Sequence, residues 1–327
     1  MQYQVETFRR KSPFINGVRH TMRAARLSVR TESAYVHWIC DFFAWTKFQK
    51  PDQISSQQVT DYLSHLAVDR KVAAGTQNQA FNSLLFLFRH VLRKDFGEIN
   101  AKRAKVSANI PDYVTRAEVV ELLKHLSGTA RLLTLLGFGC GLRLMELLRL
   151  RVKDCDFGAG LIIVRDGKGG KNRVVPMPKS LVKPLELQVL SVTATHEKDL
   201  SDGYGTVFLP GALALKYPNA NKDIKWQWLF PSPTICKDDD GTMRRHHLFP
   251  TGYQKSLRIA GEKAKLNKRI HPHCLRHGYA TALLEMGRSL EEVRERLGHK
   301  DISTTQIYLH CVKAANSPNP VDCLCEH

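Results

Sequence analysis

HPHCLRHGYATALLEMG, His271–Gly287, sets three histidines and an arginine in its first seven residues and then continues at helical spacing. Farther along come LGHKD, with His299, and QIYLHC, with Tyr308, His310 and Cys311. Histidines in this number ask for either a metal or an anion. His273 and His277 stand four residues apart, on one helical face, as zinc ligands can. Arg276 sits between them, however, and no HExxH is present. Arg143 in GLRLME and the lysines of DGKGGKN, Lys168 and Lys171, add further cations that zinc would not explain. The cluster of Cys323, Cys325 and His327 is too compact and too close to the end of the sequence to be a convincing metal site. Cations crowding a site point to an anion, and arginine offers a planar, bidentate match to phosphate oxygens. Lys168, at a turn tip, can reach a leaving oxygen, and Tyr308 can act as a covalent nucleophile. Taken singly, each is bland: a lone arginine after a glycine more often forms a surface ion pair, and a lone helical tyrosine is usually core.

The charge agrees with an anionic partner. Lys and Arg number 49 against 31 Asp and Glu, a formal net charge of +18 over 327 residues, and both the first third and the remainder are basic. A polyanion, most simply nucleic acid, is favoured over a merely basic enzyme. Hydrophobic residues at 43% imply a folded chain. No run of 18 apolar residues occurs and MQYQVETFRRKSPF lacks a signal-peptide core, so an intracellular, cytoplasmic protein with no membrane association is expected. The eight cysteines, at 40, 140, 155, 236, 274, 311, 323 and 325, show no disulfide spacing and are expected to be free thiols.

Helical spacing dominates the first hundred residues. Tyr35, Trp38, Ile39, Phe42 and Phe43 form one stripe, Ser55 and Gln58 cap a second helix ahead of Val59, and Phe81 to Leu92 form a third. With a shorter helix near Val18 to Leu27 these predict a four-helix bundle whose aromatics are core. NAKRAKVSANIPDYVTRAE reads as a basic linker, with Lys102, Arg103 and Lys105 placed to follow a phosphate backbone or simply solvated. Thr115 and Glu118 cap a new helix. LIIVR (Leu161–Arg165) and RVVPM (Arg173–Met177) are strands about a glycine-rich turn. An irregular insert follows at about 195–248, and then helices near His273–Met286, Ser289–Leu297 and from Ser303.

The order GLRLMELLRL, GKGGKNRVVPMP, HPHCLRHGYATALLEMG, LGHKDISTTQIYLH closely resembles the tyrosine recombinase family over about Thr115 to His310. The resemblance implies a mainly α protein with a small β-sheet: a helical core-binding DNA domain (1–100), a basic linker (101–114), an α+β tyrosine recombinase catalytic domain (115–313) and a C-terminal tail (314–327). It implies that Arg143, Arg276, His273 and His299 hold the scissile phosphate and that Glu146 supports them. His273 would accept the tyrosine proton or relay it, and His299 would donate to a phosphate oxygen. Lys168 would protonate the departing 5′ oxygen, with Lys171 a backbone contact unless the two are exchanged. Tyr308 would be the nucleophile, leaving a 3′-phosphotyrosine. No metal, cofactor or nucleotide triphosphate is needed, because the phosphodiester energy is kept in the protein–DNA bond. His277, His310 and Cys311 would be structural. Gly278 and Tyr279 stand where Ser-Phe is more frequent, a packing change.

YGTVFLPGALALKYPNANKDIKWQWLFPS (Tyr204–Ser232) and MRRHHL (Met243–Leu248) resemble the insert of integron integrases, which recombine folded single-stranded hairpins. Trp226 would stack on an unpaired base with Trp228 in the core, and His246 and His247 would touch DNA. The partners implied are a duplex attachment site and a folded hairpin site, with a homotetramer on DNA. A recombinase of ordinary duplex sites and a non-catalytic DNA-binding relative are the other readings. The tail, with Pro318 and Pro320, leaves room for only a short docking helix.

Overall fold

α1 (Gln2–Lys11) precedes α2 (Pro13–Ala24), α3 (Val29–Trp45), α4 (Ser56–Val68) and α5 (Ala74–Phe86), which runs on into a π-helical turn at Leu87–Leu92. The starts follow local chemistry. Ser12 accepts the Ile15 N–H at 3.5 Å, Ser28 accepts that of Thr31 at 3.1 Å, and Ser55 and Gln58 form the expected reciprocal box. The computed structural model describes residues 2–94, 112–165, 172–209, 211–238, 240–302 and 304–309, and the chain divides into two units, Met1–Asn109 and Ile110–His327.

In the first unit Ile15, Ile39, Phe42, Phe43, Tyr62, Leu66, Leu84 and Phe88 are buried together. The aromatic stripe is core, with Phe42 edge-on to Tyr62 at 5.1 Å, and the Tyr62 hydroxyl donates to Asp41 at 2.6 Å. The expected helix at Val18 to Leu27 starts instead at Pro13, a favoured first position. α1 was not foreseen, because only Val5 and Phe8 of its ten residues turn apolar side chains toward that core.

The second unit opens with α6 (Arg116–Lys124), capped by the Thr115/Glu118 box, then α7 (Gly128–Cys140) and α8 (Leu144–Leu148). β1 (Cys155–Asp156), β2 (Leu161–Val164) and β3 (Arg173–Pro176) form an antiparallel sheet in sequence order, with Ile162 opposite Val175 and Val164 opposite Arg173. α9 (Lys179–Ser201), α10 (Gly211–Lys216), β4 (Pro231–Lys237) and β5 (Met243–His247) follow. α11 (Pro250–Lys263), α12 (Pro272–Glu285), α13 (Leu290–Leu297) and helical residues 304–309 complete it. The insert expected to be irregular thus contains the end of α9, α10 and an antiparallel β4–β5 hairpin. The linker lysines and arginine, the turn with Lys168 and Lys171, Ser303, and the sequence from His310 onward lie outside the described residues.

α12 is drawn against the rest by two glycines. A Cβ on Gly278 would lie 2.3 Å from the Val114 carbonyl oxygen, so the departure from Ser-Phe makes room for backbone. Gly141 ends α7 at φ +61°, and a Cβ there would lie 2.3 Å from the Tyr279 ring. Gly141→Ala is expected to cost at least about 2 kcal/mol, a left-handed penalty plus overpacking. The check is the urea midpoint, and an unchanged value would show that neither the φ nor the Tyr279 contact is costly there.

Candidate active site

Three guanidinium groups converge on one carboxylate. Arg143 precedes α8, and Glu146, three residues on, accepts its backbone N–H at 2.9 Å and its Nη1 at 2.6 Å. Arg173, first residue of β3, donates Nη1 and Nη2 to the two Glu146 oxygens at 2.9 and 2.7 Å, and Nε to the Arg296 carbonyl at 3.0 Å. Arg276, on α12, lies 3.9 Å from Glu146 and is fixed by the carbonyls of Gly141 and Leu297, each at 2.6 Å. Burial pushes the Glu146 carboxyl up, but Arg173 and Arg143 outweigh it and hold it at about 2. Arg276 is only 3% exposed, and burial followed by repulsion from Arg143 lowers it to about 9. Three cations against one anion leave an excess of positive charge, which suits a phosphodiester.

The histidines border this cluster. His273, Arg276 and His277 share one face of α12, and the His273 and His277 rings lie 6.3 Å apart. His299, just beyond α13, places Nδ1 2.9 Å from the buried Thr305 hydroxyl. Its ring stacks on Tyr308 at 6.5 Å and 19°. Tyr308, on helical residues 304–309, is 3% exposed among Tyr279, Leu283, Val293 and Leu297. Its hydroxyl lies 2.7 Å from His277 Nδ1. Burial first, and then neighbouring positive charge, lowers every one of these imidazoles: His273, His277 to about 4, and His299 to about 3. They are therefore neutral near pH 7. Among the described residues no group of three or more His, Cys, Asp or Glu gathers as metal ligands would.

The structure thus brings Arg143, Glu146, His273, Arg276, His299 and Tyr308 together. Lys168 and Lys171 lie outside the described residues; the strands flanking them end at Val164 and Arg173, of which Arg173 is bound to Glu146. Sequence reading missed Arg173, although a cation opening an otherwise apolar strand just after a lysine-rich turn was a usable signal. It also took His277 as structural, whereas its ring meets the tyrosine hydroxyl.

The insert folds around its tryptophans. Trp228 is buried with Val207 and Leu209, the Arg151 guanidinium lies 4.0 Å from its ring centre, and the His247 ring meets it edge-on. Trp226 is half-buried with Lys153 directly over its ring, and burial followed by repulsion from Arg165 brings that lysine down to about 8. His247 Nδ1 bonds the Leu248 carbonyl at 2.9 Å, and His246 is half-buried on β5. Arg245 pairs with Asp199 through two bonds of 2.6 Å, and Arg244 with Asp238 and Asp240. Both arginines are internal ties within the insert. Neither Arg151 nor Lys153 was anticipated.

Residues 112–314 match the phage integrase family, and residues 14–98 match the N-terminal SAM-like domain of phage integrases. The chain is 40% identical to an integrase/recombinase of Escherichia coli over 314 residues, 95% of this chain and 93% of the relative. It is 29% identical to the tyrosine recombinase XerA of Thermococcus kodakarensis, over 86% of this chain and 84% of that one. Its fold is similar to XerH bound to difH substrate in a pre-cleavage complex (TM-score 0.61, 20% identity, 96% and 86% covered). It is also similar to the Tn1549 transposon integrase in complex with transposon right end DNA (TM-score 0.60, 16% identity, 94% and 96% covered). The chain therefore belongs to the phage integrase family and is a site-specific tyrosine recombinase acting on DNA.

Proposed function

We propose that this recombinase cuts and rejoins DNA through Tyr308 and exchanges integron gene cassettes whose sites fold as single-stranded hairpins. The observation that carries the chemistry is the convergence of Arg143, Arg173 and Arg276 on a single Glu146 beside a tyrosine hydroxyl. Tyr308 Oη attacks the phosphorus and the 5′ oxygen leaves, giving a 3′-phosphotyrosine. Arg143 and Arg276 neutralise the non-bridging oxygens as charge grows. Glu146 and Arg173 keep both arginines aimed. Thr305 occupies His299 Nδ1, so the hydrogen bond to phosphate falls to Nε2. Lys168 protonates the leaving oxygen, Lys171 touches the backbone, and His273 carries the tyrosine proton onward. Lys102, Arg103 and Lys105 would follow the phosphate backbone. Each cut occupies one tyrosine until rejoining releases it, so two sites brought together need several subunits, and a homotetramer on DNA is the working form.

The cassette reading rests on the insert. It has its own apolar cluster around Trp228, and it leaves Trp226 and His246 half-exposed on adjoining pieces of chain. An unpaired base stacking on Trp226 would displace Lys153 toward the phosphates. Trp226→Ala is expected to lower binding to a bulged hairpin by roughly tenfold or more, a stacking contribution of about 1–3 kcal/mol, and to leave a bulge-free duplex nearly unchanged. His246→Ala should follow the same pattern. His247→Ala is the less informative partner, since that ring packs on Trp228. Binding and covalent-complex yield on both substrates decide it: an equal loss on the two makes ordinary duplex sites the better reading.

A further inference from the structure

We infer that His277, and not His273, is the first acceptor of the Tyr308 proton. This deepens the assignment of Tyr308 as nucleophile and rests on it. Of the groups around the hydroxyl, His277 presents a nitrogen at hydrogen-bond distance, Nδ1 at 2.7 Å. Among the described residues, Arg276 and His299 are held elsewhere. Both Arg276 arms hold backbone carbonyls and are donors in any case, and His299 Nδ1 is held at Thr305. His273 lies one helical turn away, its ring 6.3 Å from that of His277, placed to receive a proton onward from His277.

The surroundings make His277 an acceptor. The faces packed on it carry His273, Arg276 and His271 from its own helix and its approach, and Tyr308 and His299 from the C-terminal segment. Burial first, with the positive charge of Arg276 beside it, keeps the ring neutral near pH 7, so a lone pair is present on one ring nitrogen. Arrival of a phosphate at the arginine cluster cancels the positive field that disfavours the imidazolium. The base therefore strengthens when substrate is bound.

The step balances. The Tyr308 Oη–P bond forms and the P–O5′ bond breaks with its electron pair on O5′. The phenol proton moves to His277 Nδ1, and O5′ takes a proton from the Lys168 ammonium. Rejoining runs the same steps backward, and the imidazolium returns its proton to the departing tyrosine.

The test is single-turnover covalent-complex formation by the full chain, with DNA affinity measured alongside. His277→Ala and His277→Asn should both cleave about 10²-fold more slowly, the usual scale of lost general-base catalysis, with DNA affinity unchanged. The Asn side chain places an acceptor oxygen near the Nδ1 position but cannot take the proton. Cleavage by His277→Asn at the wild-type rate would overturn the proposal, since a hydrogen bond alone would then suffice. A second arm replaces Tyr308 with trifluorotyrosine, whose phenol is more acidic. In that background the His277→Asn deficit should shrink to under about tenfold, because an ionised nucleophile needs no base. A deficit that stays at full size would show a structural role and also reject the inference. Tyr308→Phe run in parallel separates the two readings: an adduct formed by Tyr308→Phe sinks the nucleophile assignment itself, whereas an inert Tyr308→Phe with a fully active His277→Ala sinks only the base.

Discussion

Tyr308→Phe is expected to bind DNA like the wild-type chain and to form no covalent adduct. Only the hydroxyl is lost. The ring keeps its packing against Tyr279, Leu283, Val293 and Leu297, so folding should survive. The cost includes the contact to His277, in a place where that neutral imidazole can turn to another partner or to water. The nucleophile cannot be replaced by a neighbour, because no other described hydroxyl is held between His277, His299 and the arginine cluster. The measurement is a denaturing gel of protein incubated with a nicked or suicide substrate. A denaturant-resistant band from the mutant would remove Tyr308 from the chemistry.

What could be read in the sequence was what is local. Ser55/Gln58 and Thr115/Glu118 each close within four residues, so both caps stood in the text and both formed. LIIV and RVVP announced strands through β-branched residues around a glycine-rich turn, and they pair antiparallel with Leu161 opposite Pro176 and Val164 opposite Arg173. The family resemblance then named residues but not contacts. Arg173 reaches Glu146 across 27 positions, and His277 reaches Tyr308 across 31. No periodicity carries such pairings, because they exist only once β3 and α12 have been folded onto α8 and the last helical segment. The insert failed for the same reason in reverse. Arg245 pairs with Asp199, 46 positions upstream on α9, a partner that no local pattern announces. Lys153 on Trp226 joins segments more than seventy residues apart, so a tryptophan that seemed bare in sequence has one face taken.

Arg143→Ala should lower cleavage by at least about 10²-fold while DNA affinity changes far less, and it is a cleaner probe than Arg276→Ala. The difference lies in what each arginine holds. Arg143 gives its side chain to Glu146, which keeps both bonds to Arg173, and to the Gly298 carbonyl at 3.3 Å. Removing it takes away one charge that would face the phosphate and leaves the scaffold tied. Arg276 ties the end of α7 to the end of α13 through the Gly141 and Leu297 carbonyls. Alanine there leaves two buried acceptors unpaired, at about 1–3 kcal/mol each, so a fall in thermal stability should accompany the fall in rate. Acid should separate the variants further. Glu146 is depressed to about 2 from an ordinary value near 4.5, so its pairing stabilises the fold above the ordinary value and is lost as pH falls through about 2. Arg143→Ala keeps the Arg173 pair that contributes most to that depression and should retain most of the acid resistance. Arg173→Ala should forfeit it, with unfolding moving to higher pH. Equal acid sensitivity of the two variants would show that Arg173 does not anchor the cluster.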